Sequence, residues 1–404
     1  MHKLDQSFLG VMAKQLSAVE ANRASSNQHE FNGTTLMKRH LGLARRELDA
    51  RFIYIGRKED EQLTVDAQVT WYDARENDPN RTEHRLYFHD NPIMDQAGEG
   101  DVLIMALRHD ASLVLLIVDR QSEQMSDVLW LFGIPGHDLQ GSLGDIYPED
   151  VDQASEALFN HIAEELGLGF APAAGDQWLD LLLDRFGPHF PTTRELSALA
   201  LETLQGDIDA VTDPDSAIIA LIDREEALFR QLERHIVIRH LAEHAAEWQE
   251  DVDAFVSYSL GIHNRRKSRA GHALENHIEW LLLENTIRFD RGATTEGRSK
   301  PDFLFPGESE YHDPHFEPAR LSMLGVKTTC KDRWRQVLNE AARIPDKHLL
   351  TLQPGISSHQ TDEMRDARLS LVVPQSLHAN YETSRSDWLL SVDQFIHVVR
   401  DREP

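Results

Sequence analysis

A lysine that closes an apolar run constrains this chain more than any other feature. Lys327 follows Met323-Leu324-Gly325-Val326, which reads as a buried strand. An ammonium there needs a partner or a task, because a charge removed from water and left unpaired is strongly disfavoured. Lys300-Pro301-Asp302 precedes the apolar Phe303-Leu304-Phe305, so a carboxylate stands at the start of a second strand. A lysine at a strand edge is commonly only solvated. Neighbouring strands that bring Asp302 to Lys327 give both charges a reason, and that demands a sheet.

The rest of the chain suggests two domains, residues 1–170 and 177–404, since 404 residues exceed the usual single-domain size. The first fifty residues look helical and polar. Strand-like segments follow at Arg51–Ile55, Leu63–Tyr72, His84–Phe88, Asp101–Leu107, Leu113–Val118 and Val128–Phe132, which suggest a mainly β, barrel-like amino-terminal domain. Residues 133–148 are glycine and proline punctuation, a helix is expected over Asp150–Leu166, and Gly167–Gly175 reads as a linker. Helical periodicity then runs from Thr193 to about Leu260, with starts at Pro191-Thr192-Thr193 and at Asp213-Pro214-Asp215. Beyond it come a helix at His272–Asn285, strands near Asp302–Phe305 and Met323–Thr328, and a helix over about 332–344. Strands near His348–Leu352 and Ser370–Val373 and a helix near Ser386–Val399 complete an α/β carboxy-terminal domain.

The formal charge is −27, from 41 Lys and Arg against 68 Asp and Glu, so bulk electrostatics argue against nucleic-acid binding. Neither part is basic: residues 1–170 hold 15 cationic against 29 acidic residues, and the remainder 26 against 39. Cationic islands remain at Arg265-Arg266-Lys267-Ser268-Arg269 and from Lys331 to Arg335. One cysteine, Cys330, allows no internal disulfide and no CxxC zinc cluster, which fits a reducing compartment. Without a signal-peptide core or an apolar run long enough for a bilayer, a soluble cytoplasmic protein is expected.

An acid at a strand end, a lysine on the next strand and further carboxylates are what metal-assisted phosphodiester hydrolysis needs. The usual pattern, PD…(D/E)xK, puts a carboxylate two residues before the lysine, where this chain has Gly325. Glu340, on the expected helix after Lys327, and Glu275, in Ala273-Leu274-Glu275-Asn276-His277-Ile278, are the candidates to restore a metal ligand. Either glutamate taken alone reads more readily as a solvated helix residue. Lys331, Asp332 and Arg333 carry side chains suited to reading a G·C pair, with a capped, solvated helix start as the alternative. Arg265, Arg266 and Arg269 are candidate phosphate contacts, or a solvated loop. Arg75, Arg81 and Arg85, after Trp71-Tyr72, are possible DNA contacts of the amino-terminal domain, with a solvated hairpin loop the more ordinary reading. His240 and His244 with His235 have a spacing that can hold zinc, yet structural histidines are far commoner. Cys330 reads as a packed strand residue.

Several blocks together resemble the catalytic domain of the EcoRII restriction endonuclease family. They are His263-Asn264-Arg265-Arg266-Lys267-Ser268-Arg269-Ala270-Gly271, Lys300 to Pro306, Tyr311-His312-Asp313 and, most strongly, Val326 to Gln336 through Asn339-Glu340. The resemblance spans about Trp178 to Tyr381 and implies a PD-(D/E)xK fold and a Mg²⁺-dependent type II endonuclease acting as a homodimer on double-stranded DNA. By position, Asp302, Glu340 and Glu275 would serve the metal, Lys327 the attacking water and scissile phosphate, and Lys331, Asp332 and Arg333 the outer C·G pairs. The family's sites are of the CCWGG or CCNGG kind, with central nucleotides extruded from the stack. Residues 1–170 do not visibly match that family's effector domain, a DNA-binding β pseudobarrel, but their strand pattern is compatible with an effector or autoinhibitor engaging a second DNA site. The rival readings are a nuclease sensing modified DNA or another ligand, and a non-catalytic DNA-binding protein on a nuclease scaffold.

Overall fold

The computed structural model describes residues 4, 7–21, 29–58, 61–76, 78, 80–134, 145–146, 155–168, 177–330, 333–381 and 388–403. The chain divides into two compact units, residues 1–153 with 159–173, and residues 154–158 with 174–404.

The first unit is built on an eight-stranded sheet. Its strands are β1 (Phe8–Gln15), β2 (Glu30–Asn32), β3 (Arg46–Ile55), β4 (Gln62–Asp73), β5 (His84–Phe88), β6 (Val102–Arg108), β7 (Leu113–Val118) and β8 (Asp145–Ile146), in the order β2-β5-β4-β3-β7-β6-β1-β8. All neighbours are antiparallel except β3 with β7. β6 and β7 are covered on both faces, which is why they run apolar without alternation. β3 alternates over its first half and sends Leu48, Ala50 and Phe52 into a core with Phe31, Trp71, Phe88 and Leu115.

Two expectations for this unit fail. Phe8–Gln15 is a strand rather than part of a helical stretch: it lies between β6 and β8, and pairing on both sides outweighs local propensity. The expected strand Val128–Phe132 is instead a helix, Met125–Leu131, with Met125, Asp127, Val128, Leu129 and Leu131 buried. A short apolar run suits a buried helix turn as well as a strand. Most of the expected punctuation and linker, 133–148 and 167–175, lies outside the described residues.

The second unit is α/β and begins with helices α1 (Leu179–Phe186), α2 (Thr193–Thr203), α3 (Pro214–Glu250) and α4 (Val252–Glu284). α2 opens on a capping box, in which Glu195 N donates to Thr192 Oγ1 at 3.3 Å and Thr192 N donates to Glu195 Oε2 at 2.8 Å. α3 opens on Asp213-Pro214, with Ser216 N donating to Asp213 Oδ1 at 3.1 Å. Asp251 alone separates α3 from α4, and its Oδ1 caps α4 through Ala254 N at 3.0 Å. Ion-pair partners descend α3 as they ascend α4, Glu233 with Arg266 and Glu226 with Arg269, so the two helices form an antiparallel hairpin. The separate helix expected at His272–Asn285 is the last part of α4.

A six-stranded mixed sheet follows, in the order β14-β13-β12-β11-β10-β9. Strands β9 (Asp290–Arg291), β10 (Phe303–Phe305) and β11 (Ser322–Lys327) pair antiparallel, whereas β11, β12 (Lys347–Thr351), β13 (Leu369–Val372) and β14 (Leu389–Leu390) pair parallel. Helices α5 (Trp334–Val337), α6 (Ser358–Asp366) and α7 (Val392–Arg402) connect and close this half. The helix expected over 332–344 shrinks to α5: the chain then turns, with Ala341 in the left-handed region at φ 47°. Polar side chains from elsewhere hold this turn in place of helical hydrogen bonds.

Candidate active site

The register of β10 against β11 sets Phe303 opposite Leu324, which brings Asp302, just ahead of β10, against the tail of β11. Asp302 Oδ2 accepts from Val326 N at 2.6 Å and from Lys327 Nζ at 3.0 Å. Both side chains are largely covered, Asp302 being 20% and Lys327 24% exposed, and each has the other as an ion-pair partner. Asp302 Oδ1 takes no hydrogen bond from the described residues.

Gly325 stands where a carboxylate would be expected, and the packing gives the reason. A Cβ there would lie 2.9 Å from Val337 Cγ2 and 3.2 Å from Val337 Cγ1, so α5 fills that face of the strand. The segment that closes this position supplies a carboxylate of its own three residues on, Glu340. Glu340 Oε2 is enclosed without a hydrogen-bond partner among the described residues. Burial first, and then repulsion from Asp302, pushes the Glu340 carboxyl up to about 7, against the opposing pull of Lys327 and Lys347.

The turn that carries Glu340 is firmly held. Lys347 Nζ donates to the carbonyls of Glu340, Ala341 (3.1 Å) and Ile344 (3.0 Å). Ala341 N donates to Thr295 Oγ1 at 3.4 Å, Ala342 N to Glu296 Oε2 at 3.1 Å, and Arg343 N to the Tyr311 hydroxyl at 3.2 Å. Arg343 also donates to the carbonyls of Tyr311, Asp313 and Phe316. A charged partner left unsatisfied in this turn would cost more than any single bond in it contributes.

Glu275, in α4, is engaged elsewhere. Its Oε2 accepts from Arg291 Nη2 at 2.7 Å, and Arg291 Nη1 donates to Glu279 Oε2 at 2.7 Å and Asn276 Oδ1 at 2.8 Å. Asp302, Glu340 and Glu275 do not form a set with ligand atoms all within 4.8 Å, a spacing that His240, Glu243 and His244 do meet. Asp302 and Glu340 nevertheless fit a hard divalent cation: when ionised they offer only acceptor oxygens, and one buried oxygen lacks a donor among the described residues. Glu275 Oε2 is already held by Arg291.

The remaining sequence candidates fall into different surroundings. Lys331 and Asp332 lie outside the described residues. Arg333 is exposed at the start of α5, its N–H donating to Cys330 O at 2.7 Å. Cys330 is fully buried just beyond β11, with its N–H on Gln353 Oε1 at 3.1 Å. The basic run 265–269 is helical and mostly committed. Arg266 makes a forked pair with buried Glu233, its Nε and Nη2 lying 2.9 and 2.6 Å from Oε2. Arg269 pairs with buried Glu225 and Glu226. Both guanidiniums are thus ion-paired within the chain; Arg265 is exposed and lies 4.1 Å over the Phe190 ring. In the first unit, Arg75 and Arg85 both pair with Glu83, and Arg85 with Glu30 at 2.6 Å, so they too are neutralised within the chain. Arg81 is exposed.

Sequence reasoning missed Lys347, Arg291 and the Thr295, Glu296 and Tyr311 set. Lys347 had a usable signal, a lysine one residue ahead of the apolar Leu349-Leu350, by the same logic that singled out Lys327.

An acid just ahead of β10 and a lysine closing β11, with a second acid returning from the next turn, thus converge in the α/β unit. Residues 229–396 match the family described as EcoRII C terminal. Over 146 residues, 36% of the chain, the sequence is 51% identical to the type II restriction enzyme EcoRII of Escherichia coli and covers 36% of it. The chain thus spans about a third of the length of the curated relative it matches. Among solved structures, metal-depleted Ecl18kI in complex with uncleaved DNA has a TM-score of 0.45 at 19% identity, covering 57% of this chain and 85% of that one. The restriction endonuclease PspGI-substrate DNA complex has a TM-score of 0.42 at 14% identity, covering 53% and 93%. Among the described residues, no helix is long and apolar enough to cross a membrane.

Proposed function

We propose that this chain is a type II restriction endonuclease that hydrolyses double-stranded DNA with Mg²⁺ at a CCWGG/CCNGG-like site. The observation that carries the reading is the Asp302–Lys327 pair beside Glu340, whose orphaned carboxyl has its pKa raised to about 7. Asp302 and Glu340 are the residues that would hold the ion, with Glu275 recruited from Arg291. When bound, the ion supplies charge neutralisation at the phosphate and lowers the pKa of a bound water. Lys327 fixes a positive charge where negative charge develops on the scissile phosphate. Asp302 holds that ammonium in place, and the pinned 340–343 turn keeps Glu340 at the site.

Arg333, with Lys331 and Asp332, is the proposed reader of the outer C·G pairs, since Arg grips guanine O6 and N7 while Asp accepts from cytosine N4. Two copies of the chain would serve the two halves of a pseudopalindrome. Residues 1–170 are proposed as an effector or autoinhibitor, and faster cleavage after their removal would support this. The direct test incubates the purified chain with Mg²⁺ and a CCWGG duplex: Asp302→Ala and Lys327→Ala should bind that duplex and leave it intact. Failure to cut any CCNGG duplex would sink the specificity claim.

A further inference from the structure

Outside the proposed nuclease site, α3 gathers His240, Glu243 and His244, with one ligand atom of each within 4.8 Å of the other two. The imidazoles lie one helical turn apart, ring centroids 3.9 Å from each other. His244 Nδ1 is 3.0 Å from the His240 carbonyl, and since a carbonyl only accepts, Nδ1 carries a proton, which in the neutral ring leaves the lone pair on Nε2. A backbone carbonyl on the far ring nitrogen is the usual way a protein orients a metal-binding imidazole. His240 stacks on Tyr258 of α4 at 4.2 Å, and Trp248 lies beside both imidazoles, so aromatic neighbours limit the rotation of the two rings. Glu243 is exposed and pairs with Arg239 at 3.2 Å, a surface contact weak enough to yield to a metal.

We infer that His240, Glu243 and His244 bind a zinc-class transition-metal ion, leaving a fourth position for water. Two imidazoles and a carboxylate suit Zn²⁺, Co²⁺ or Ni²⁺ and not Mg²⁺, which prefers an all-oxygen set. Bonds of about 2.0–2.1 Å bring tetrahedral ligand atoms to about 3.4 Å, a closure that side-chain rotation on one helix face can supply. The ion would sit near the Asp251 reversal and stiffen that end of the α3–α4 hairpin. Its donors are separate from Asp302 and Glu340, so the two sites differ in metal preference.

The test titrates the full-length protein with Co²⁺, read by visible absorption, and with Zn²⁺, read by equilibrium dialysis and elemental analysis. The parent should bind one more Zn²⁺ per chain than the His240→Gln/His244→Gln double variant, and its Co²⁺ bands should be absent from that variant. Glu243→Gln should weaken Zn²⁺ binding about tenfold or more. All variants should retain Mg²⁺-supported cleavage. Equal stoichiometry and equal Co²⁺ bands in parent and double variant would overturn the inference. If the double variant does not fold, Glu243→Gln, which alters an exposed side chain, decides the matter: unchanged affinity and unchanged bands defeat the site.

Discussion

Replacing Glu340 with glutamine should separate the stability of its turn from the chemistry it serves. In the fold, burial and then repulsion from Asp302 raise this carboxyl from 4.5 to about 7. A carboxyl whose folded pKa is raised holds its proton more tightly in the folded state, so ionising it costs stability. That cost is absent below about 4.5, grows between there and about 7, and is constant above. At roughly 1.4 kcal/mol per unit the full shift corresponds to about 3 kcal/mol. The carboxylate is only partly enclosed, and solvent screening reduces the figure to ~1–2 kcal/mol. Glutamine has no charge to bury. Metal-free Glu340→Gln should therefore be ~1–2 kcal/mol more stable than the parent at about pH 8 and nearly equal to it close to pH 4.5, by urea denaturation in chelator. Added Mg²⁺ should reverse the order, since only the parent gains stability by binding it. Below about pH 7 the parent's Mg²⁺ affinity should fall about tenfold per pH unit. A variant less stable than the parent at about pH 8 without metal, or one still stabilised by Mg²⁺, would refute this reasoning.

Gly325→Ala would place a Cβ 2.9 Å from Val337 Cγ2, so it should cost about 1–3 kcal/mol in denaturant melts and, by pushing α5 outward, lower cleavage. Lys347→Met removes the ammonium from three carbonyls of the Glu340 turn, and the expected signature is a raised Mg²⁺ requirement for cleavage with duplex affinity retained. Lys327→Ala should leave specific duplex binding measurable by gel shift and abolish cutting; unaltered cutting would remove Lys327 from the chemistry. Arg333→Ala should reduce discrimination at one base pair by about 1–3 kcal/mol, whereas an equal loss on all sequences would make it a phosphate contact.

Strands with long or alternating apolar patterns were legible: β3 to β7 and β10 to β13 lie close to where their sequences put them. Caps were legible too, because Thr192 and Asp213 act through neighbouring backbone N–H groups. β1 was not, since its strand state depends on partners nearly a hundred residues away, of which Met105 opposite Met12 is one. The Asp302–Lys327 pair was readable because each charge interrupts or heads an apolar run. The seat of Glu340 was not: it depends on Lys347, Thr295, Glu296 and Tyr311 meeting in space, which converts an expected helix into a turn. The partners of the clustered arginines were hidden for a related reason. Arg266 and Arg269 read as a cationic island in one dimension, while their acids, Glu233, Glu225 and Glu226, arrive from another helix.

The most direct measurement is single-turnover cleavage of a CCWGG duplex by the full-length protein with Mg²⁺, set beside Lys327→Ala, Asp302→Ala and a duplex lacking the site. Cleavage by the parent of the CCWGG duplex alone, lost in both variants while their binding persists, is the predicted result. Cleavage by Lys327→Ala at the parental rate, or no cleavage by the parent with any divalent ion, would contradict it.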